Sequence, residues 1–407
     1  MELKQGYKQT EIGVMPEEWG ITELGKIGVF SKGSGVRKDQ SNSGEIACVR
    51  YGELYTKHNN YIKTICSFIS KEVSLQAKRL KKGDILFAGS GETKAEIGKS
   101  AAFIDEIEAY AGGDIVILTP KEFDSMYLGY LLNASFIQSQ KASRGQGDAV
   151  VHISSNNLSS IKIPQPTLQE QTAIANALSD MDALISQTEK LIEKKKAIKQ
   201  GAMQELLKPK DGWVTKRLGD VSKFYKGSGL PKSDLTEYGR YKCIHYGELF
   251  TFYKENIDNI KSRTNKNLGA FLSNVNDVLM PTSDVTPNGL ATASCINENN
   301  IVLGGDILVI RSDSNKIDGV FLSYSIKFNR QQIMKLVSGS TVYHLYGSDM
   351  SKFIFSFPEI KIQQRISRLL IDMEDELNKY QTKLTKLKQQ KQGMMQALLT
   401  GKIRLVS

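Results

Sequence analysis

The chain has 407 residues and a formal net charge of +10, and this length is enough for two or three domains with cores of their own. The excess of basic residues favours a polyanionic partner. The first ten residues are polar and no apolar run reaches roughly 18 residues, so the sequence predicts neither a signal peptide nor a transmembrane helix and is typical of a cytosolic protein.

The four cysteines have no CxxC spacing, so they do not support a zinc or redox motif. Cys48 and Cys243 occupy equivalent positions in the two halves of the chain, beside apolar residues. Small reduced core residues have this pattern more often than metal ligands do.

From Leu24 onward, short apolar runs alternate with Gly, Asn, Ser and Asp, which is typical of β-strands joined by turns. The same markers return in the second half of the chain, whereas the residues between them differ freely. The paired markers are Trp19 and Trp213, Lys32-Gly33-Ser34-Gly35 and Lys226-Gly227-Ser228-Gly229, Tyr51-Gly52-Glu53-Leu54-Tyr55 and Tyr246-Gly247-Glu248-Leu249-Phe250, and His152 and His344. A shared framework with divergent intervening residues indicates one fold that recognises two different targets.

Each half ends in a long helical pattern, and the two patterns are copies at a constant shift (393 − 201 = 192). Apolar residues follow alternating steps of four and three, the heptad period of a coiled coil. The expected contact residues are Ile174, Leu178, Met181 and Ile185 in the first copy and Ile366, Leu370, Met373 and Leu377 in the second. We therefore expect the two helices to pair with each other, and we consider an antiparallel pairing.

Beyond Ile185 the apolar stripe of the first copy broadens over Leu191, Ile192 and Ile198, and the lysines around it are typical of a solvated coiled-coil face. Both copies then place a glycine and a methionine near the helix end, namely Gly201, Met203, Gly393 and Met395. A glycine inside a helix costs about 1 kcal/mol relative to alanine. We therefore expect close packing here, against either the sister helix or a second protein.

Motifs of catalysis are not found. Neither Lys32-Gly33-Ser34-Gly35 nor Gly89-Ser90-Gly91 continues into a Walker motif, and tight turns explain both better than a phosphate loop does. The sequence has no Asn-Pro-Pro-aromatic motif, no metal-ligand spacing and no G-x-S-x-G elbow. A structural hydrogen bond explains His152 and His344 more simply than a general base. A free-standing nuclease or methyltransferase is therefore disfavoured.

The segments of the chain are, in order, a globular half, Ile-Pro-x-Pro-x-Leu-x-Glu-Gln-x-x-Ile from Ile163 to Ile174, heptads, and Lys-Gln-Gly-x-Met-Gln-x-Leu-Leu. In this order of its segments the chain resembles the specificity subunit of type I restriction–modification systems. The likeness covers essentially the whole chain. The second copy departs from the pattern, because Ile362-Gln363-Gln364 stands where Glu170-Gln171-Thr172 stands in the first copy. This departure indicates that the two helices are not interchangeable.

The resemblance implies an α+β fold with two similar mixed α/β target recognition domains, separated by two long antiparallel helices that form an intramolecular coiled coil with pseudo-twofold symmetry. On the sequence, the expected boundaries are a first target recognition domain at 1–165, a central helix at 166–208, a second target recognition domain at 209–357 and a C-terminal helix at 358–407.

The resemblance also implies a non-catalytic subunit without a cofactor of its own that binds double-stranded DNA. Each globular half would read one half of a bipartite site, and the helices would set the spacer and dock two modification subunits. Those subunits bind S-adenosylmethionine and methylate adenine N6, and motor–nuclease subunits use ATP and Mg²⁺ for cleavage. A stand-alone DNA-binding or coiled-coil scaffold protein without a methyltransferase partner is the alternative, which co-purification would distinguish.

Basic or amide-bearing residues in the divergent loops and the glycine-rich turns are the candidate DNA contacts, since side chains that reach base edges specify sequence whereas phosphate contacts only fix position. They are Lys32, Arg37, Lys38, Lys57, Arg144 and Gln146 in the first half and Lys226, Lys232, His245, Lys254, Arg263 and Arg311 in the second.

Overall fold

A computed structural model describes residues 5–267 and 269–405 of the chain. The chain divides into two compact units, Met1–Glu189 with Lys383–Ser407 (unit 1) and Lys190–Thr382 (unit 2). Among the described residues, none of the helices combines the length and the apolar character that crossing a bilayer requires.

Unit 1 is rich in short strands. In chain order β1 to β14 are Tyr7–Thr10, Gly13–Pro16, Gly20–Glu23, Gly28–Lys32, Ile46–Val49, Ser67–Ile69, Lys78–Arg79, Ile85–Ala88, Ser90–Gly91, Ser100–Ala102, Ala109–Ala111, Ile115–Pro120, Val151–His152 and Lys162–Gln165. Its helices α1 to α5 are Tyr51–Thr56, Lys71–Ser74, Ser125–Leu131, Ser135–Ala142 and Ser155–Ser159, and 3₁₀ turns lie at Leu24–Lys26 and Lys38–Gln40. The long helix α6, Leu168–Leu207, begins in unit 1 and ends in unit 2.

Unit 2 repeats this plan. Its strands β15 to β28 are Val214–Arg217, Ser222–Lys226, Leu235–Thr236, Tyr241–Ile244, Asn256–Ile257, Ser262–Thr264, Phe271–Leu272, Val278–Pro281, Ser283–Asp284, Ser294–Ile296, Val302–Leu303, Ile307–Ser312, Tyr343–His344 and Ile354–Phe357. Its helices α7 to α10 are Glu248–Thr251, Gly319–Phe328, Arg330–Met334 and Gly347–Met350, and 3₁₀ turns lie at Leu218–Asp220, Lys232–Asp234 and Pro287–Ala291. The long helix α11, Ile360–Leu398, begins in unit 2 and ends in unit 1.

Each unit contains two main sheets. In unit 1 the strand orders are β10-β8-β12-β4 and β6-β5-β11-β7, and in unit 2 they are β16-β26-β22-β24-β19 and β17-β20-β18-β25-β21. Strands β12 and β26 each begin with four fully buried apolar residues, from Ile115 and from Ile307. A continuous apolar run is expected of a strand that is covered on both faces. These elements confirm the predicted α+β class with two similar sheet-rich units.

The repeated Lys-Gly-Ser-Gly motif marks a close backbone approach. A Cβ atom on Gly33 would lie 2.0 Å from the carbonyl oxygen of Gly112, and one on Gly227 would lie 2.0 Å from that of Gly304. The amide of Gly33 donates to Ile115 O at 2.8 Å and that of Ser34 to Ala111 O at 3.2 Å. These amides are therefore bonded within the chain and do not form an open phosphate cradle.

Both units pair a section of α6 with a section of α11 in antiparallel orientation. In unit 1, Asp182 bonds Lys391 and Glu189 bonds Lys388, each at 2.8 Å. In unit 2, Lys195 bonds Glu376 at 2.7 Å, and Lys199 bonds Glu374. Along these ion pairs the residue numbers rise on α6 while they fall on α11, so the two helices run antiparallel.

The contact face of each long helix follows the heptad. Ile174, Leu178, Ile185, Ile366, Leu370 and Leu377 are buried, whereas Met181 and Met373 are half-buried. The predicted broadening of the first stripe is confirmed at the buried Ile192 but wrong at Ile198, which is 47% exposed whereas Lys199 is only 8% exposed. Lys199 occupies a heptad position, and Glu374 neutralises its ammonium group. A pattern of apolar residues therefore assigned Ile198 to the contact face in place of Lys199.

The segment after α11 packs on the first globular half. The Arg404 guanidinium bonds the buried Glu170 carboxylate, which also accepts from the indole N–H of Trp19 at 3.0 Å. Tyr7 donates its hydroxyl to the carbonyl of Gly401 at 2.8 Å. In unit 2, Ile362 stands at the place of Glu170 and is 44% exposed.

The prediction for the helices is that Leu370→Asp lowers the thermal unfolding midpoint strongly. Leu370 is fully buried, and an unpaired carboxylate there should cost roughly 3 to 5 kcal/mol. The neighbouring Leu369 is 42% exposed, so Leu369→Asp is the matched control and should melt near the parent. Equal melting of parent and Leu370→Asp would contradict the intramolecular pairing.

Candidate nucleic-acid interface

Each unit contains a short β-ribbon outside its two main sheets. In unit 1, β9 pairs with β13 so that Ser90 lies opposite His152, and Gln146 bridges to His152 from the other side. We call Ser90–Gly91, Gln146 and Val151–His152 the unit-1 ribbon. In unit 2, β23 pairs with β27, with Ser283 opposite His344 and Ser338 as the third member. We call Ser283–Asp284, Ser338 and Tyr343–His344 the unit-2 ribbon.

A glycine shapes the same loop of both ribbons. Gly147 has φ +104° and Gly339 has φ +109°, a conformation that side-chain-bearing residues rarely adopt. A Cβ atom at either glycine would also lie 2.2 Å from a carbonyl oxygen, that of Val150 or Val342. The ribbon geometry is therefore fixed by the framework, whereas the side chains that it carries differ between the units.

The repeated Tyr-Gly-Glu-Leu motif holds a short helix against the main sheet. The buried carboxylate of Glu53 accepts from the amide of Arg50 at 3.1 Å and from the Ser67 hydroxyl. The buried Glu248 accepts in the same way, from the amide of His245 at 2.7 Å and the Ser262 hydroxyl at 2.5 Å. The glutamates are thus structural, and the motif is a framework element.

The aromatic residue that ends the motif packs on the ribbon. Tyr55 donates its hydroxyl to Ser90 O at 3.0 Å, and burial first, then the Glu96 charge, raises the pKa of Tyr55 to about 12. In unit 2, the ring of Phe250 would lie 2.9 Å from a Cβ atom on Gly289, which follows the ribbon. Tyr55 therefore bonds the unit-1 ribbon directly, whereas Phe250 contacts the 3₁₀ turn that follows the first strand of the unit-2 ribbon.

A cavity of about 380 Å³ opens beside the unit-1 ribbon. Its lining includes Lys32 from β4, Ser90, Asp114 and His152. The Nδ1 atom of His152 lies 3.0 Å from the Ser90 hydroxyl, in agreement with the structural hydrogen bond expected for this histidine. An ammonium, a hydroxyl and an imidazole beside a two-stranded ribbon could bind base edges and phosphates of a duplex, because a two-stranded ribbon fits the major groove.

Several predicted DNA contacts are exposed. Lys32 lines the cavity beside the unit-1 ribbon, and Gln146 belongs to that ribbon. Lys57 directly follows the helix whose Tyr55 bonds Ser90. Arg37 and Lys38 lie on a 3₁₀ turn that is bonded to β6 in the other sheet. The exposed members are Lys32, Arg37, Lys38, Lys57 and Gln146 in unit 1 and Lys226, Lys232 and Lys254 in unit 2.

The other four predicted contacts are engaged by their own chain. Arg144 donates to Ser160 Oγ and Gln140 O at 2.9 Å, and Arg263 donates to Gly239 O at 2.9 Å. His245 accepts from the amide of Gly247 at 3.2 Å. Arg311 bonds the buried Asp277 at 2.6 Å, which raises the pKa of its guanidinium.

The ring contacts of Arg311 complete its enclosure, since its guanidinium lies 5.2 Å from the ring centre of Tyr225 and 5.6 Å from that of Phe271. Arg144 and Arg311 therefore stabilise loops of their own unit, and contact of their half-buried guanidinium groups with a duplex stays a prediction. The sequence alone does not show whether a basic side chain in a divergent loop is already bonded to a carbonyl or carboxylate group of the same chain.

Residues that the sequence reasoning did not propose as DNA contacts lie on the unit-2 ribbon and on the residues that directly follow β23, which we call its tip. His344 stacks on the half-exposed Tyr346 with ring centres 5.9 Å apart, and Val285 at the tip is 73% exposed. The repeated histidine and the repeated Tyr-Gly-Glu-Leu motif were the signals that could have located the ribbon. Among the described residues, no group of three or more His, Cys, Asp or Glu side chains could hold a metal ion.

Lys141 supports the unit-1 ribbon from inside the fold. Its side chain is fully buried, and its ammonium donates to Gly98 O at 2.7 Å, which ties α4 to the loop that follows β9. Burial first, and then the charge of Lys99, lowers the pKa of Lys141 from 10.5 to about 7. The buried Ile333 occupies the equivalent place in unit 2 at the shift of 192 residues.

From this we predict that Lys141→Met stabilises unit 1, and most strongly at acidic pH. Below about pH 7 the folded chain contains a buried charged ammonium. As pH rises from about 7 to 10.5, the folded state loses this proton while the unfolded state keeps it, so the parent gains stability. The stabilisation by Lys141→Met should therefore be largest near pH 6 and should decrease steadily towards pH 10.

Thermal unfolding across this pH range checks the prediction. Lys335→Met changes an exposed lysine in unit 2 and is the control, for which we expect no such pH dependence. A pH-independent gap between the parent and Lys141→Met would show that the buried ammonium does not titrate in this window.

Sequence comparison identifies two regions of one family. The type I restriction modification DNA specificity domain matches residues 16–200 and again residues 210–389. Each matched region contains one of the two ribbons, and each continues into one of the two long helices.

The relatives are similar over nearly their whole length. A protein of Methanocaldococcus jannaschii provisionally named the MjaX type I restriction enzyme specificity subunit is 26% identical, with 99% of this chain and 97% of that protein covered. The MjaIX type I restriction enzyme specificity subunit of the same organism is 24% identical, with 98% of this chain and 96% of that protein covered.

Two solved structures show the same fold. A type I restriction–modification S subunit from M. genitalium superposes with a TM-score of 0.62 at 16% identity, covering 98% of both chains. A chain from a study of complex assembly and conformational transition of the type I R-M system gives a TM-score of 0.53 at 16% identity, covering 96% of this chain and 99% of that one.

Proposed function

The chain belongs to the family of type I restriction modification DNA specificity domains, and from this membership we propose how it acts as the specificity subunit of a restriction–modification complex. Each globular half reads one half of a bipartite DNA site. The observation that carries the proposal is the presence of two specificity domains in one chain, each with its own ribbon of fixed framework and divergent side chains.

The proposed boundaries follow the repeat. Residues 1–165 and 209–357 form the target recognition domains, and residues 166–208 and 358–407 form the helices between them. The subunit carries no catalytic step. It binds double-stranded DNA, docks two modification subunits that methylate adenine, and joins motor–nuclease subunits for cleavage. The subunit acts in the cytoplasm, where its DNA ligand is found.

The charges support DNA as the ligand. The net charge of +10 attracts the phosphate backbone, and lysines such as Lys32, Lys57 and Lys226 are exposed. Phosphate contacts make affinity depend steeply on salt but carry no sequence information. Specificity must then come from the ribbons and neighbouring loops, whose side chains differ between the units.

The prediction is that exchange of one globular half changes one half of the site. Residues 218 to 350 are replaced by the equivalent region of a relative with a known site, and the genome-wide adenine methylation pattern is read from cells with matched modification subunits. Only one half-site should change, and the spacer should stay constant because the long helices are retained. A change in both half-sites, or in the spacer alone, would refute the modular function.

The helix glycines support a docking site for the modification subunits. Gly201 and Gly393 are exposed, and a Cβ atom on either would meet nothing within 4 Å. The sister helix therefore does not explain them, which leaves a second protein from the two expected partners. The two glycines are equivalent by the repeat, as two copies of one partner require.

We predict that alanine and leucine variants of Gly201 and Gly393 distinguish an effect on the stability of the subunit from an effect on assembly with the modification subunit. In the isolated subunit each should raise stability by about 1 kcal/mol, because alanine favours a helix and has room here. Gly201→Leu and Gly393→Leu should lower the amount of modification subunit that co-purifies, without a change in the bases that are read. Normal assembly of both leucine variants would remove the docking role of these helix ends.

A further inference from the structure

The tip of the unit-2 ribbon presents a valine to solvent on a preorganised turn. Val285 follows β23 and leads into the 3₁₀ turn Pro287–Ala291, and it is 73% exposed. The Asp284 carboxylate accepts from the amide of Val285 at 2.7 Å and from the Thr286 hydroxyl at 2.8 Å. The turn is therefore held in shape before any ligand binds, and its outward side chain is apolar.

Other exposed apolar side chains surround this ribbon. Val342 precedes β27 and is 43% exposed, and Tyr346 follows it and is 50% exposed. Phe250 supports the turn from behind and is itself 37% exposed. Val285 is thus part of a local apolar surface and not a single scattered side chain.

The equivalent tip in unit 1 is polar. There the residues after β9 are Glu92, Thr93, Lys94, Ala95 and Glu96, all of them exposed. Val150, the unit-1 counterpart of Val342, is also exposed, at 51%, so the difference between the ribbons lies in the residues that follow β9 and β23.

This difference favours DNA over a protein as the ligand of the tips. Two copies of one protein partner need the same surface on both units, as Gly201 and Gly393 provide. Two different half-sites need different surfaces in equivalent places, and the tips meet that requirement. In the major groove the base edges are polar except for the 5-methyl group of thymine, which apolar side chains recognise.

Resting on the proposed function, we infer that Val285 is a specificity-determining residue that contacts the 5-methyl group of a thymine in the half-site read by unit 2. The unit-1 tip makes its contacts through polar groups instead. The A·T pair concerned is discriminated by an apolar contact in the major groove.

Removal of the methyl group from the DNA tests the inference. The assembled complex of this chain with its modification subunits is titrated with duplexes in which single thymines of either half-site are replaced by deoxyuridine, which lacks only the methyl group. We expect one thymine, in the unit-2 half-site, whose replacement weakens binding about fivefold, in line with the loss of one buried methyl group. The residue exchange of 218 to 350 identifies which half-site unit 2 reads.

A variant of Val285 tests the same contact from the protein side. With Val285→Ala, the thymine and deoxyuridine duplexes should bind within about twofold of each other, because the contact is already lost. Val275 is another exposed valine of unit 2, at 49%, and lies before β22. The control Val275→Ala should keep the fivefold difference. Should Val285→Ala melt well below the parent, Val285→Thr, which keeps one methyl group, replaces it and should leave a smaller but measurable difference.

The outcomes separate this inference from the proposed function. Absence of any sequence-selective binding would defeat the proposed function itself. Selective binding without a methyl-sensitive thymine, or with no thymine in the unit-2 half-site, would overturn the role of Val285 alone. So would a methyl effect that persists unchanged in Val285→Ala.

Discussion

A lysine paired with a carboxylate beside a tyrosine ring holds the two long helices in register within each unit, and this pair is buried at Lys199 in unit 2 and half-buried at Lys391 in unit 1. In unit 2, Lys199 bonds Glu374 and lies 5.4 Å from the ring centre of Tyr324. In unit 1, Lys391 bonds Asp182 and lies 5.4 Å from the ring centre of Tyr130. Loss of Glu374 would leave the buried Lys199 with an uncompensated charge, at a cost of about 3–5 kcal/mol, and the half-buried pair of unit 1 contributes less. The pairing is therefore specific for one alignment of the helices, which apolar contacts alone define less sharply.

The globular parts are attached to this helix pair by a second repeated contact. The side chain of Gln171 donates to Pro166 O at 3.0 Å and accepts from the amide of Asp124 at 2.9 Å. Gln363 repeats both bonds, to Pro358 O at 2.8 Å and from the amide of Asp318 at 3.0 Å. One amide thus joins the start of a long helix to the start of α3 or α8. The helix position fixes where each sheet, and with it each ribbon, stands within its unit.

Sequence reasoning predicted the elements whose signals are local and repeated. The heptads around Leu178 and Leu370 and the paired framework markers are of this kind. It did not predict that Lys199 is buried, because a lysine is normally solvated and the charge that neutralises it lies 175 residues away. It also missed the ribbons, because strands of two residues such as Ser90–Gly91 and Val151–His152 have no period to detect. Of the twelve DNA contacts listed from sequence, those that are bonded internally, such as Arg311, could only be recognised from the fold.

The departures from the repeat have physical reasons that differ by location. Glu170 has no counterpart in the second copy, because its role is to bind Arg404 at the end of the chain, and Gly212 stands at the place of Arg404 in the first copy. Such a departure follows from a contact that the fold makes in unit 1, where Arg404 lies within bonding distance of Glu170. The departures at the ribbon tips have no such cause, since the framework around Gly147 and Gly339 is the same in both units. A difference that the fold does not require, on a surface that the fold holds rigid, is the kind expected when two equivalent domains recognise two unlike ligands.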